Sequence, residues 1–112
     1  MIVRQVSEVP VSENPHGVDA RQVYDSEHAV AVVITLQPGE SLKKHITPVD
    51  VFFYTLEGTG TVEIGGERET VGSGVLVESP AGIPHRWMND AEGVFRVLVV
   101  KVPKPTTRTT LL

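Results

Sequence analysis

The sequence predicts an all-β fold, either a sandwich or a barrel. No long stretch carries the apolar spacing of a helix, which repeats roughly every 3.6 residues. Apolar and β-branched residues fall instead in short runs, separated by turn signals roughly every eight to twelve residues, a pattern typical of sandwiches and barrels. The chain also contains 10 glycines and 8 prolines among 112 residues, which suits a fold with many tight turns.

Eight strands are predicted along the chain, most of them ending at a recognisable turn. They cover residues 18–24, 29–37, 50–57, 59–64, 67–71, 75–79, 84–88 and 94–102. The turns include "DSEH" after the first strand, "QPGE" after the second and "NDAEG" before the last. Gly65 and Gly66 predict a two-residue hairpin, because glycine takes positive φ at little cost.

These strands are expected to form a single domain with a core at about residues 18–102, since 112 residues suit one domain. Residues 1–17 are predicted to be an N-terminal arm, in which "IVRQV" has the character of an edge strand. Residues 103–112 contain two prolines and four threonines and are predicted to be a tail, either mobile or docked.

The composition excludes several classes of protein. A formal net charge of −4 argues against a nucleic-acid partner, which usually requires a basic stripe. The basic residues that follow the last acid are expected on a solvated strand face and tail; they are Arg96, Lys101, Lys104 and Arg108. Without cysteine, the chain has no disulfide, no thiolate catalysis and no cysteine-ligated zinc.

No membrane segment or secretion signal is recognisable in the sequence. The opening residues "MIVRQVSEVP" lack an apolar h-region. The longest apolar run, "AVAVVI", is far shorter than the roughly 20 residues of a membrane-spanning helix. We therefore expect a cytoplasmic protein without a membrane partner.

The predicted strand at 50–57 is apolar on both faces. Val51, Phe53 and Thr55 point to one side of the strand, and Phe52, Tyr54 and Leu56 point to the other. A strand with one wet face would alternate more cleanly between apolar and polar residues. We expect its outer face to be covered by a second sheet or by another subunit, and favour a homodimer.

Two segments contain the candidate functional residues. In "GVLVESPAGIPHRWMN", Pro80 and Pro84 have fixed φ and Gly82 allows a sharp turn. This turn fixes how the chain enters the strand that carries His85. In "KKHITPVDVFFYTLEG", His45 and Thr47 share one face by alternation.

Together these segments resemble the motifs of the cupin family, small double-stranded β-helix (jelly-roll) barrels. The second segment matches the pattern G-x5-P-x-G-x2-H-x3-N throughout, at Gly74, Pro80, Gly82, His85 and Asn89. The first matches G-x5-H-x-H-x3,4-E-x6-G only at Gly39, His45 and Gly58. Thr47 stands at the second histidine position, and Val51 or Phe52 at the glutamate position. The resemblance spans about half of the chain and implies a double-stranded β-helix barrel.

The resemblance also implies a metal site, because cupins hold one divalent metal with three histidines and a glutamate. Of these four ligands, only His45 and His85 are carried over residue by residue. The resemblance therefore implies a two-histidine site that holds Zn, Ni, Mn or Fe, or no metal at all. Thr47 is a poor replacement for imidazole, and Val51 supplies no donor. Loss of a residue that merely orients a ligand lowers metal affinity about 10–100-fold, and loss of two ligands is expected to cost more.

Asp50 is the remaining candidate metal ligand. It follows His45 by five residues, an odd offset that points it away from the pocket by strand alternation. A bulge near Pro48 would be needed to turn the carboxylate inward.

The interior pocket is predicted to be lined by Thr47, Phe53 and Trp87. His16 in "NPHG" and His28 in "SEHA" stand beside turn residues and are expected at the surface.

Three functions stay open at this point. The favoured one is a binding module for a small polar or anionic molecule, with His45 and His85 as hydrogen-bond donors and a loosely held metal or none. The alternative is a metal-dependent enzyme of dioxygenase or isomerase type that uses the two histidines and Asp50, since iron oxygenases need two histidines and a carboxylate. A metal-free acid–base enzyme is the third, because imidazole titrates near neutral pH.

Overall fold

Two five-stranded antiparallel sheets pack face to face in a computed structural model of residues 1–112. The strands are β1 (Asp19–Asp25), β2 (Val30–Leu36), β3 (His45–Ile46), β4 (Val51–Glu57), β5 (Gly60–Ile64), β6 (Glu67–Val71), β7 (Leu76–Ser79), β8 (His85–Met88), β9 (Phe95–Lys101) and β10 (Thr110–Leu111). The first sheet has the order β1-β2-β9-β4-β7, and the second has the order β10-β3-β8-β5-β6. The predicted all-β fold is confirmed. No helix in the structure has the length and apolar character needed to cross a membrane.

All eight predicted strands are present, and their ends differ from the prediction by one residue or less. The short strands β3 and β10 were not predicted, because two residues are too few to show an alternating pattern. In the first sheet β9 lies between β2 and β4, which are far from it in sequence. Such crossovers place residues from both halves of the chain on one interior face.

Both chain ends are docked on the barrel. The tail pairs with β3 through Leu111, which lies opposite His45. The N-terminal arm does not form the edge strand expected of "IVRQV"; it contains a 3-10 turn at Val6–Glu8 instead. The Arg21 guanidinium holds this turn by donating hydrogen bonds to the carbonyls of Val6, Ser7 and Val9.

The core lies between the two sheets and is built around aromatic rings. Trp87 of the second sheet stacks on Phe95 of the first, with ring centroids 5.0 Å apart. It also meets Phe53 of the first sheet edge-on at 5.5 Å. Trp87 and Phe95 are completely buried, so burial of their large apolar surfaces is a main source of stability.

The outer face of the first sheet is apolar and uncovered in the single chain. Tyr54 and Leu56 of β4 are 41% and 44% exposed, and Leu76 of β7 is 56% exposed. Tyr54 and Leu76 are direct neighbours across the β4–β7 pair. These three side chains, called the outer patch below, therefore form a contiguous apolar surface.

We predict that Gly60→Ala destabilises the barrel by about 1–3 kcal/mol, the usual cost of overpacking a core. A Cβ atom at Gly60 would overlap the buried Phe95 ring. Gly66→Ala is the matched control, because nothing lies within 4 Å of its added Cβ atom. Urea unfolding of the two variants tests this, and equal midpoints would contradict it.

Candidate functional site

The structure brings His45 and His85 together inside the barrel. His45 opens β3 and His85 opens β8, and the two residues are paired across these strands. Their Nε2 atoms are 3.0 Å apart, and the side chains are 9% and 2% exposed. A hydrogen bond at this distance requires a proton on one Nε2 atom and a lone pair on the other.

The hydrogen-bond partners decide which ring carries that proton. The carbonyl of Lys43 can only accept, so the His45 Nδ1 atom, 2.7 Å away, carries hydrogen. In the neutral ring, His45 Nε2 is then the acceptor and His85 Nε2–H is the donor. His85 Nδ1 consequently accepts from the hydroxyl of Ser79 at 2.6 Å. All four ring nitrogens are satisfied within the protein.

Ser79 was missed by the sequence analysis. It ends β7, is 1% exposed and lies opposite Val51 across the β4–β7 pair. By strand alternation, Ser79 and Val77 share the inward face of β7. This alternation is the sequence signal that could have placed Ser79 inside the barrel. Its hydroxyl fixes the orientation of the His85 ring.

Two of the three predicted pocket residues adjoin the histidine pair. The hydroxyl oxygen of Thr47 lies 3.3 Å from His85 Nε2, and the Phe53 ring meets the His85 ring edge-on at 5.4 Å. Trp87 is not a pocket wall: it is fully buried in the aromatic core and does not line the cavity.

Asp50 is not brought to the histidines. Its carboxylate is exposed and accepts a hydrogen bond from the Ala81 amide at 2.9 Å. It thus stabilises the turn between Pro80 and Pro84, on the outside of the barrel. No bulge turns it inward, and strand alternation alone describes its direction correctly.

His16, expected at the surface, is half-buried over the mouth of the barrel. Its ring centroid lies 4.9 Å from that of His45, and its Nδ1 atom accepts the Lys43 amide hydrogen at 2.9 Å. The loop before it is held by Asn14, which donates to the Ser12 and Val18 carbonyls and accepts from the His16 amide. The arm therefore forms a fixed wall of the site.

Lys101, expected on a solvated face, points inward as well. It follows Phe95, Val97 and Val99 at two-residue intervals on β9, and all three are buried. Lys101 forms no salt bridge or hydrogen bond through its side chain in the structure. Burial lowers the pKa of its ammonium group.

These residues surround an interior cavity of about 230 Å³. Its apolar walls come mainly from Val32, Val51, Phe53 and Val99, and its polar lining includes the three histidines, Thr47 and Lys101. The N-terminal arm from Ser12 to His16 and Thr109 of the tail close its sides.

Burial determines the charge state of the three histidines. It lowers the pKa of His85 to about 4, assisted by neighbouring basic side chains. It likewise lowers the pKa of His16 to about 4. Burial also lowers the pKa of His45, against the effect of its hydrogen bond to Lys43. All three rings are neutral at neutral pH.

A family model described as "Cupin domain" matches residues 32–101, more than half of the chain. The chain belongs to the cupin family. No protein of curated function matches it.

Several solved structures share the fold. The TT1209 protein from Thermus thermophilus is 29% identical, with a TM-score of 0.80 over 94% of this chain and 100% of that chain. The polyketide cyclase RemF from Streptomyces resistomycificus is 21% identical, with a TM-score of 0.85 over 100% and 85%. A cupin from Methanocaldococcus jannaschii with a double-stranded β-helix fold is 19% identical, with a TM-score of 0.73 over 92% and 94%. The predicted double-stranded β-helix barrel is confirmed.

The donor set of this cupin does not fit a tightly bound divalent metal. No three His, Cys, Asp or Glu side chains are grouped as they would be around one ion. Catalytic zinc usually has three protein ligands. Here two imidazoles face each other, the Nδ1 lone pair of His16 is taken by the Lys43 amide, and Thr47 offers a neutral hydroxyl. Every nitrogen of the pair is already hydrogen-bonded.

We predict that stability falls as the pH is lowered from about 6.5 to about 4, measured by urea unfolding with EDTA present. In this window the unfolded chain binds more protons than the folded chain, so unfolding is favoured. His85→Gln removes one of these titrations and is expected to give a shallower pH dependence than the wild type. His28→Gln, in an exposed loop, controls for loss of a histidine. Equal slopes in wild type and His85→Gln would contradict a buried neutral His85.

Proposed function

We propose that this cupin binds a small polar or anionic molecule in its interior cavity, beside the His45–His85 pair. The observation that carries the proposal is the cavity itself, with apolar walls and a few polar groups directed into it. Ligand sites are commonly concave and apolar, with a small number of polar groups that fix orientation.

The size of the cavity limits the ligand. A water molecule occupies about 30 Å³ in the liquid, so about 230 Å³ corresponds to roughly eight non-hydrogen atoms. This is below the about 300–1,000 Å³ of pockets for drug-sized ligands. The expected ligand is therefore a small metabolite-sized molecule.

The binding role is favoured over the metal-dependent enzyme because that enzyme would need the Asp50 carboxylate. Asp50 is engaged with the Ala81 amide outside the barrel. Likeness to the polyketide cyclase at 21% identity concerns the fold alone, and one fold supports many activities. The proposed function is therefore inferred from the cavity and not from the activity of a structural neighbour.

We predict that small polar molecules bind in the cavity and that Thr47→Val weakens this binding about 2–10-fold, the cost of one lost hydrogen bond. The substitution nearly preserves volume and removes the hydroxyl beside His85. The measurement is a proton–nitrogen NMR titration with butyrate, butyramide and butylammonium, in EDTA. Binding is expected to persist in EDTA, because the donor set does not fit a metal.

Thr107→Val, on the exposed tail, is the control and is expected to bind like the wild type. Absence of binding by all three compounds would contradict the proposed function. Binding that EDTA abolishes would instead indicate a metal-dependent site.

A second copy of the chain is the partner we propose for the outer patch. Tyr54, Leu56 and Leu76 are contiguous and exposed, and residues of both charge signs, Glu78 and Arg96, lie on the same outer face. A surface that carries both signs can pair with itself across a two-fold axis.

We predict a species of about 24 kDa, twice the chain mass of 12.2 kDa, in sedimentation at micromolar concentration. Tyr54→Glu places a charge in the patch and is expected to give monomers. Ile83→Glu, an exposed apolar position in the Pro80–Pro84 turn, is the control and should leave the dimer intact. A wild-type species near 12 kDa would refute the dimer.

A further inference from the structure

Among the cavity-lining donors that have no acceptor within the protein, two belong to basic side chains. One is the Lys101 ammonium, which takes part in none of the salt bridges or hydrogen bonds of the structure. The other is the Nε2 atom of His16. In contrast, the ring nitrogens of His45 and His85 are all satisfied.

We propose that Lys101 and His16 form an anion site at the mouth of the barrel, suited to a small carboxylate. The inference rests on the proposed function and specifies the ligand class of that same cavity. The residues come from opposite parts of the chain, β9 and the N-terminal arm, and neither lies in the two family motifs.

Lys101 carries its charge on the inner side of the barrel. Its backbone lies in the middle of the first sheet, opposite Val30 of β2 and Val51 of β4. Lys101 lines the cavity together with the apolar side chains of Val51 and Val99. An ammonium group in such a place is costly without a counterion, and burial accordingly lowers its pKa.

No acidic side chain supplies that counterion. Asp50 is turned outward to the Ala81 amide, and Asp25 is paired with Lys104 at 2.7 Å. Glu13 is the one acidic residue of the cavity lining; it is exposed and forms no salt bridge. A ligand carboxylate would therefore meet an unpaired cation in a partly desolvated site, where the attraction is stronger than in water.

A backbone contact fixes the tautomer of His16. A backbone amide can only donate, so the Lys43 amide at 2.9 Å fixes a lone pair on His16 Nδ1. The neutral ring then carries its proton on Nε2, which is available to donate to a ligand. The Asn14 hydrogen bonds hold the loop in place, so little ordering is required on binding.

The charges of the cavity favour an anion over a cation or a neutral molecule. The open donors on basic side chains are Lys101 and His16, and the buried histidine pair offers no free lone pair. Phe53 and Val99 give apolar contact for a short hydrocarbon segment. Phosphate shares the anionic chemistry of a carboxylate but lacks this apolar part.

Binding of isosteric probes to the full chain tests the inference. Butyrate, butyramide and inorganic phosphate are titrated into wild type, Lys101→Met, Lys101→Arg and His16→Gln, with cavity amides followed by NMR. Butyrate is expected to bind wild type at least about tenfold more tightly than butyramide, as expected of hydrogen bonds to a charged group. Lys101→Met should remove this preference, Lys101→Arg should retain part of it, and His16→Gln should weaken butyrate about 2–10-fold.

Arg4→Met is the control. It removes a positive charge from an exposed side chain that does not line the cavity, and it is expected to change butyrate affinity less than about twofold, the range of a surface charge. Lys101→Met is also expected to melt at or above the wild-type temperature, because it removes a half-buried unpaired ammonium. This measurement separates loss of the ligand site from loss of the fold.

The outcomes distinguish the two proposals. Equal affinities of butyrate and butyramide, unchanged in Lys101→Met, would overturn the anion site and leave cavity binding intact. No binding by either compound would overturn the anion site, and absence of butylammonium binding as well would overturn both proposals. Tighter binding of phosphate than butyrate, lost in Lys101→Met, would support the anion site and identify a phosphate-type ligand as its occupant.

Discussion

The contact of Trp87 with Phe53 and Phe95 is the interaction on which the arrangement of the site depends. Trp87 belongs to the second sheet and both phenylalanines belong to the first, so this stack sets the distance between the sheets. His85 precedes Trp87 by two residues and shares its inward face, and its ring rests on Phe53. The packing that excludes water from the core thus also fixes where His85 lies, and through it His45.

Much of this architecture is visible in the sequence, because strands with one buried face alternate in side-chain type. The same alternation places Lys101 inward with Phe95, Val97 and Val99, but the charge of lysine suggested a solvated position and outweighed the pattern. The position of His16, in contrast, does not follow from strand alternation. It depends on a hydrogen bond from the Lys43 amide, 27 residues away, and a contact between residues so far apart leaves no local sequence pattern.

The family motif explains both what this cupin keeps and what it lacks. Its prolines and Gly82, which has a φ of +77°, form the turn that delivers His85 into the barrel. The same turn presents the Ala81 amide to the outside, where Asp50 accepts its hydrogen. Because the Asp50 carboxylate is hydrogen-bonded on the outer side of this turn, it is held away from His45 and His85. The inward position of His85 and the outward position of Asp50 therefore follow from the same turn.

The tail forms part of the cavity wall through Thr109 and is joined to the barrel by the two-residue strand β10. Short terminal strands open locally at a small fraction of the free energy of global unfolding. Detachment of this chain end would open one side of the cavity while the aromatic and aliphatic core of 12 buried residues stays packed. Access to the cavity and stability of the fold then depend on separate parts of the chain.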